Sequence, residues 1–180
     1  HVVISLPPGG LEKLVLDWTR ERNRHSPGST SIACLDKRGS LATGADDAVV
    51  TCVEADRSMF PFDRAAVKRI REMTTRDPSS PGLRRAGEGQ RPGAKNVLHA
   101  HNMAAWQYAV LAARGTGVGV VYTQHGPNPH THGLLNRIRS VVLARYTDRI
   151  VAVSEDTARV MATTGIPRQR IVVIANCVKT

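Results

Sequence analysis

The chain has 180 residues, the length of one ordinary domain that can enclose a full hydrophobic core. It carries 25 Lys and Arg against 15 Asp and Glu, and the net charge of +10 favours anionic partners such as nucleic acid, acidic lipid or phosphorylated small molecules. Aromatic residues make up only 4% of the chain, which argues against the stacking platforms that bind single-stranded nucleic acid.

The chain opens with a predicted strand, a glycine-rich turn and a helix. Residues 1–6 form an apolar, β-branched run typical of a buried strand, and two prolines followed by Gly9 and Gly10 interrupt it. Apolar residues at i, i+3, i+4 and i+7 indicate the helix, namely Leu11, Leu14, Val15 and Trp18. Such a turn leaves free backbone N–H groups at the positive end of a helix, where a phosphate or carboxylate can bind. Glycine is also common in such turns for conformational reasons alone.

The rest of the chain continues the alternation of strands and helices. Further strands are predicted at 31–35, 48–53, 96–101, 118–123, 149–153 and 171–174. Residues 20–31 are predicted to form a loop, and residues 36–47 to contain at most one short helix. Later helices are expected after Phe62, Met103, Leu134 and Ser154. Residues 77–95, rich in arginine, glycine and proline, are predicted to form a long, basic, mobile loop.

The predicted strands are continuous apolar runs. This pattern predicts a Rossmann-like, three-layer α/β/α domain in which a mostly parallel seven-stranded sheet lies between layers of helices. In such sheets ligands bind beyond the carboxyl ends of the strands. The candidate site therefore comprises the polar residues at those ends, which are Pro8 to Gly10, His101 and Asn102, His125 and Gly126, Ser154 and Glu155, and Asn176.

Histidines are concentrated in the second half of the chain. His125 follows an apolar strand at a turn, where its imidazole can accept a proton from a hydroxyl or hydrogen-bond a sugar; the alternative is a structural role in holding the turn. His101, beside Asn102 at a strand end, is better placed to meet a ligand than His99, which is expected to pack within the strand. No metal site is expected, because a metal needs three or four converging ligands.

Several common motifs are missing from the sequence. The glycine-rich run at 115–119 leads into a strand, whereas the dinucleotide-binding fingerprint follows a strand and opens a helix. No GxSxG, P-loop or kinase signature occurs, so a hydrolase or ATPase has little support.

The cysteines and apolar runs bear on the compartment. Cys34, Cys52 and Cys177 form no CxxC motif, and the first two are expected to be core thiols of a cytosolic protein. No signal peptide is expected, and no apolar run approaches the roughly 20 residues of a membrane span. Any membrane contact is therefore expected to be peripheral.

Five motifs, in order along the whole chain, resemble the N-terminal domain of family 4 retaining glycosyltransferases, which have the GT-B fold. They are PPGGLE at 7–12, VLHAHN at 97–102, VYTQHG at 121–126, DRIVAVSE at 148–155 and IVVIANCV at 171–178. The resemblance implies that residues 1–180 form the acceptor-binding half of a two-domain enzyme. The C-terminal donor-binding domain would lie outside this chain, and this domain alone is expected to be inactive.

The resemblance also implies roles for individual residues. Gly9 and Gly10 match the loop that contacts the diphosphate of the nucleotide-sugar donor, which is a co-substrate; no cofactor or metal is implied. His125 matches a histidine close to the transferred hexose, which it would orient or stabilise. Contacts with a sugar, phosphorylated or lipid-linked acceptor are expected from strand-end residues and two arginines: His101, Asn102, Gly126, Ser154, Glu155, Arg137 and Arg139.

Two departures and two alternatives accompany this interpretation. Cys177 and Lys179 stand where the family usually has a glycine and an acid, which affects the link to a second domain. One alternative is a GT-B sugar-nucleotide epimerase, and the other is a non-catalytic basic module that binds anionic lipid or nucleic acid. The expected location is cytoplasmic, with any peripheral contact at the inner face of the membrane.

Overall fold

A computed structural model describes residues 1–43, 49–56, 58, 62–75, 96–126 and 133–175. The described residues form one seven-stranded sheet. Its strands are β1 (Val2–Val3), β2 (Ile32–Cys34), β3 (Val50–Cys52), β4 (Val97–Ala100), β5 (Gly119–Gln124), β6 (Arg149–Ala152) and β7 (Ile171–Val173). Every neighbouring pair is parallel. The predicted fold class and all seven predicted strands are confirmed.

Five α-helices connect these strands in the described part of the chain. They are α1 (Gly10–His25), α2 (Arg64–Thr75), α3 (Met103–Ala113), α4 (Leu134–Arg145) and α5 (Glu155–Thr163). Short 3₁₀ turns occur at Ser40–Ala42 and Arg168–Arg170. None of these helices combines the length and apolarity needed to cross a membrane.

The strand order reverses in the middle of the sheet. The order is β3-β2-β1-β4-β5-β6-β7, so the chain runs outward from β1 to β3 and then crosses back to place β4 on the other side of β1. Val2 of β1 pairs with Ala100 of β4, which brings the ends of these two strands level. In an open α/β sheet the crevice for a ligand opens at such a reversal, beyond the carboxyl ends of the strands.

The two faces of the sheet carry separate cores. On one face, side chains of α2, α3, α4 and α5 pack against alternate strand residues, and Trp106 is fully buried there. Its ring stacks on Tyr122 at 4.0 Å between centroids, and its indole N–H donates to Thr147 Oγ1. On the other face, Val15 and Leu16 of α1 pack on β1, β2 and β3. Cys34 belongs to this second core, as expected for a core thiol.

The second face is only partly covered by the described residues. The helix α1 covers the half formed by β1, β2 and β3, whereas side chains of β4 and β7 on the same face stay open, with Val97 52% and Val172 46% exposed. Parallel sheets are normally covered on both faces. This half of the sheet therefore lacks a layer within the described chain.

One prediction about helix length is wrong. The polar composition of residues 20–25 predicts a loop, but α1 continues to His25. The extension has no apolar stripe and is stabilised by local charge, because Glu21 pairs with Arg24 and His25. Basic residues in the last turn also interact favourably with the partial negative charge at the C-terminal end of the helix. The short helix expected within 36–47 is the 3₁₀ turn at Ser40–Ala42.

Candidate functional site

Three strand-to-helix connections converge where the strand order reverses. The first runs from β1 to α1 and contains Gly9 and Gly10, and the second runs from β4 to α3 through His101 and Asn102. The third leaves β5 at His125. Because β1, β4 and β5 are consecutive neighbours in the sheet, these connections lie side by side at its carboxyl edge. The sequence-predicted residues on these three connections are thus brought to one edge.

The turn before α1 leaves a helix end without a side-chain cap. Gly9 is the N-cap residue, and no side chain accepts a hydrogen bond from the first turn. The carboxylate of Glu12 lies beside Gly9, where a methyl group in place of a Gly9 hydrogen would collide with Glu12 Oε2. A Cβ on Gly10 would meet nothing within 4 Å. The helix end is thus positive and open at Gly10, and it already has an acidic side chain beside it.

The start of this turn is held in place by the loop between β2 and β3. The backbone N–H of Leu6 donates to Arg38 O, and Leu6 O accepts from Leu41 N–H. Gly39 lies between them with φ of +77°, and a Cβ on it would collide with the Leu6 backbone. Glycine is required at position 39 on both counts. The path from β1 into α1 is therefore fixed by backbone contacts.

Four histidines form a connected cluster where β1, β4 and β5 lie side by side. His101 Nε2 lies 2.9 Å from His1 Nδ1, and His101 Nδ1 lies 3.0 Å from His125 Nε2. His99 stacks on His101 at 4.2 Å between ring centroids and bonds to Thr123 Oγ1 through Nε2. The His101 side chain, 2% exposed, thus uses both ring nitrogens within the protein. It links β1, β4 and β5 at the reversal.

Burial favours the neutral form of His99, His101 and His125. Desolvation lowers the pKa of His99 from 6.5 to about 4 and lowers the pKa of His101 further. Desolvation also lowers the pKa of His125. A neutral imidazole offers one donor and one acceptor, so each bond to His101 fixes which nitrogen of its neighbour carries hydrogen. The cluster therefore couples the tautomers of His1, His101 and His125.

Neither ring nitrogen of His125 is accessible to a ligand in this arrangement. Its Nε2 bonds to His101, and its Nδ1 is buried without a hydrogen-bond partner among the described residues. A ligand can reach the backbone here, because Gly126 has open space where a Cβ would stand. Contact between the His125 ring and a ligand requires the imidazole to turn away from His101.

Three of the four histidines come close enough to share a metal ion. His1, His99 and His101 offer ring nitrogens that all lie within 4.8 Å of one another. The sequence analysis missed this group, because His1 becomes a neighbour of β4 only through the strand order. The 2.9 Å separation between His1 and His101 is a hydrogen-bond distance, and an ion would have to part that pair.

Asn102 and Ser154 act as helix caps. The side-chain oxygen of Asn102 accepts from Ala105 N–H at 2.8 Å, and Ser154 Oγ accepts from Thr157 N–H at 3.1 Å. The cap predicted for Ser154 is confirmed. Both side chains thus satisfy backbone donors that a helix leaves open, which fixes the starts of α3 and α5 at the carboxyl edge of the sheet.

The remaining predicted residues lie at the rim of this edge or on α4. The Glu155 carboxylate forms an exposed, two-pronged ion pair with Arg168, with oxygens 2.9 and 3.1 Å from Nη2. Arg139 donates to Gln107 Oε1, and its Nε is buried without a partner among the described residues. Arg137 is exposed on α4. The basic loop at 77–95 and Asn176 lie outside the described residues.

One small cavity lies near this edge, and a groove lies at the opposite ends of the strands. The cavity of about 20 Å³, roughly one water molecule in size, lies beneath α3, α4 and α5, and the unpaired hydroxyl of Ser140 lines it together with Gln124. A shallow groove of about 380 Å³ lies between His1, Trp18 and Arg22, next to the starts of β1 and β2. The cavity is too small for a sugar nucleotide, and the groove lies at the amino ends of the strands, so the open carboxyl edge is the candidate binding surface.

Comparison with known proteins identifies relatives of the whole chain. The family model described as Glycosyltransferase Family 4 matches residues 8–180. No curated protein matches the chain.

Solved structures of Anabaena Alr3699/HepE share the fold. One was determined in complex with UDP and another with UDP and glucose, and each aligns with a TM-score of 0.67 at 16% sequence identity. The alignment covers 98% of this chain but only 43% of HepE. The chain thus spans less than half the length of the structures it resembles.

Proposed function

This chain belongs to glycosyltransferase family 4, and on that premise we propose that it is the acceptor-binding half of a retaining glycosyltransferase. The complete enzyme transfers a hexose from a nucleotide-sugar donor to a hydroxyl acceptor, and a second domain supplies most of the donor site. The convergence of the Gly9–Gly10 turn, His101 and His125 at the strand-order reversal supports this function. HepE, which has the same fold, was solved with UDP and glucose, which agrees with a nucleotide-sugar donor.

The open helix end at Gly10 suits the donor diphosphate. Backbone N–H groups at a helix N-terminus bind phosphate, and the missing side chain lets an oxygen approach them closely. Glu12 must swing away, because its carboxylate stands beside the same helix end and repels an anion. The positive end of α1 therefore has an anion beside it in both states, Glu12 without the donor and the diphosphate with it.

The chemistry follows from retention of configuration without a protein-bound metal. The bond between the anomeric carbon and the diphosphate oxygen breaks, and the acceptor oxygen bonds to the same face of that carbon. The acceptor proton passes to an oxygen of the leaving diphosphate. His125, which burial keeps neutral, hydrogen-bonds the sugar after its ring turns from His101, and it carries no charge into the reaction.

The acceptor is proposed to bind across the rest of the carboxyl edge. Gly126 leaves room beside His125, and Ser154, Glu155 and Asn102 contribute mainly by placing the helix ends that form the rim. The arginines on α4, Arg137 and Arg139, suit a phosphorylated or lipid-linked acceptor.

The test is turnover by the intact protein with UDP-glucose and a panel of other nucleotide sugars, measured as nucleoside diphosphate release and as sugar-containing product. We expect His125→Ala to lower kcat by about 100-fold or more while the far-UV spectrum and melting temperature stay close to wild type. The matched control is His25→Ala at the exposed end of α1, which should retain full turnover. Wild-type turnover by His125→Ala, or epimerisation of the sugar nucleotide without transfer, would contradict the proposed function.

A further inference from the structure

The helix α4 exposes an apolar face. Ser140, Leu143 and Ala144 point inward, and the aliphatic side chains on the opposite side point outward. Leu134 is 73% and Leu135 82% exposed. The other outward aliphatic residues are Ile138, Val141 and Val142. A surface helix normally has the reverse pattern, with its apolar stripe toward the core.

The other described helices at the surface do not share this pattern. The outer side of α1 carries Lys13, Arg20 and Glu21, and the outer side of α5 carries Asp156 and Arg159. An exposed Leu or Val by itself is ordinary, but five on one face of one helix form a contiguous apolar patch. We call the outward residues of α4 the α4 surface, and its exposed apolar patch indicates an interaction site.

The charged residues of α4 are all arginines. The helix contains Arg137, Arg139 and Arg145 and no acidic residue. Arg137 and Arg145 are exposed. A further arginine, Arg114, lies over the ring of the exposed Tyr146 at the end of the helix, 5.4 Å from its centroid. An aliphatic face flanked by arginines, with an aromatic side chain at one end, is typical of a helix that lies in the interface of an anionic membrane.

We propose that the α4 surface docks the protein on an anionic lipid bilayer. The aliphatic side chains enter the boundary between headgroups and acyl chains, and the arginines contact lipid phosphates. A second copy of the chain fits less well, because a two-fold interface would set these arginines against each other. A protein interface is also less suited, since Leu and Val are under-represented among the residues that contribute most to protein–protein binding.

Docking also orients the candidate site. The helix α4 begins shortly after His125 and runs back alongside the strands, so its first turn stands at the carboxyl edge of the sheet. With α4 lying on the bilayer, this edge opens beside the lipid headgroups. Membrane binding depends on the α4 surface alone, and it goes beyond the proposed transfer reaction, so it can be measured without any sugar substrate.

The experiment is co-sedimentation of the intact protein with vesicles. The probes are vesicles of phosphatidylglycerol and phosphatidylcholine in equal parts and vesicles of phosphatidylcholine alone, at low and at high salt. We expect binding to the anionic vesicles at least about tenfold tighter than to the neutral ones, weakening with salt. The variant L135S/I138S/V142S should lower binding at least about tenfold, and R137Q/R145Q about 25-fold at low salt.

Matched controls separate the α4 surface from overall apolarity and charge. The variant W18S removes a large apolar side chain exposed on α1 and should bind as wild type. The variant R20Q/R22Q removes the same charge from α1 and should lose less than about fivefold. Equal losses in the α4 and control variants would overturn the inference. Wild type that ignores anionic vesicles, or an α4 variant that converts a dimer to a monomer in sedimentation velocity, would also overturn it.

Discussion

Replacing Gly10 with alanine separates the needs of the fold from the needs of a ligand. Gly10 is the first residue of α1, and a Cβ there meets no atom within 4 Å. Its backbone is helical, so alanine fits without strain. Glycine lowers helix stability by about 0.5–1 kcal/mol relative to alanine in a helix interior, and less at the first turn. Gly10→Ala should therefore leave the free energy of unfolding unchanged or raise it by up to about 0.5 kcal/mol.

The same methyl group should weaken binding of the donor. It stands where a phosphate oxygen would approach the N–H groups of the first turn, and a hydrogen bond to a charged group contributes about 1.5–3 kcal/mol. Loss of one such bond corresponds to roughly a 10- to 150-fold rise in the dissociation constant. Calorimetric titration of the intact protein with UDP measures this change, and urea unfolding measures stability in the same preparations.

Gly133→Ala provides the control. Gly133 is the N-cap residue of α4, and a Cβ on it likewise meets nothing within 4 Å. It lies between β5 and α4, two strands away from the Gly9–Gly10 turn and outside the proposed diphosphate contact, so UDP affinity should stay at the wild-type value. If Gly10→Ala keeps wild-type affinity for UDP, the turn does not contact the diphosphate. If it unfolds more easily than wild type, the space beside Gly10 is not open in solution.

Two further predictions concern stability. Because burial lowers the folded-state pKa of His99 from 6.5 to about 4, and that of His101 in the same direction, only the unfolded chain binds these protons between about pH 6.5 and 4. The free energy of unfolding should thus be highest above pH 6.5 and fall as the pH drops, by up to about 1.4 kcal/mol per pH unit for each histidine. Urea unfolding of wild type and His99→Gln at several pH values measures this, and the two plots of unfolding free energy against pH should diverge. Parallel plots would contradict the burial of His99. Ser154→Ala should lower the free energy of unfolding by about 1 kcal/mol, while Ser154→Asn restores it, because Oγ caps α5; equal stability of all three proteins would exclude the cap.

The strands could be predicted because each of them contains a run of consecutive apolar residues. Runs such as 118–122 and 150–153 consist of consecutive apolar residues, a pattern that is typical of strands in a parallel sheet. The end of α1 could not be found this way, because residues 20–25 contribute no apolar stripe, and the ion pairs of Glu21 compete with an equally plausible polar loop.

The site could be predicted to the level of an edge but not of contacts. Parallel strands bring their carboxyl ends together whatever their order, so the sequence alone places Gly10, His101 and His125 at one edge. Whether they are neighbours depends on the order β1-β4-β5, which a single sequence does not fix. The contact between His1 and His101 could not be predicted for this reason, since the two residues are 100 positions apart in the chain.

Several polar side chains at this edge already form hydrogen bonds within the protein, so a ligand would be recognised mainly by backbone groups. Asn102 and Ser154 cap helices, and both ring nitrogens of His101 bond to other histidines. Gly10 and Gly126, in contrast, have neither a positive φ nor a neighbour that excludes a Cβ, so packing gives no reason for glycine there. A glycine at such a position leaves its backbone open to a ligand, and at this edge the open backbone lies beside His125 and at the N-terminus of α1.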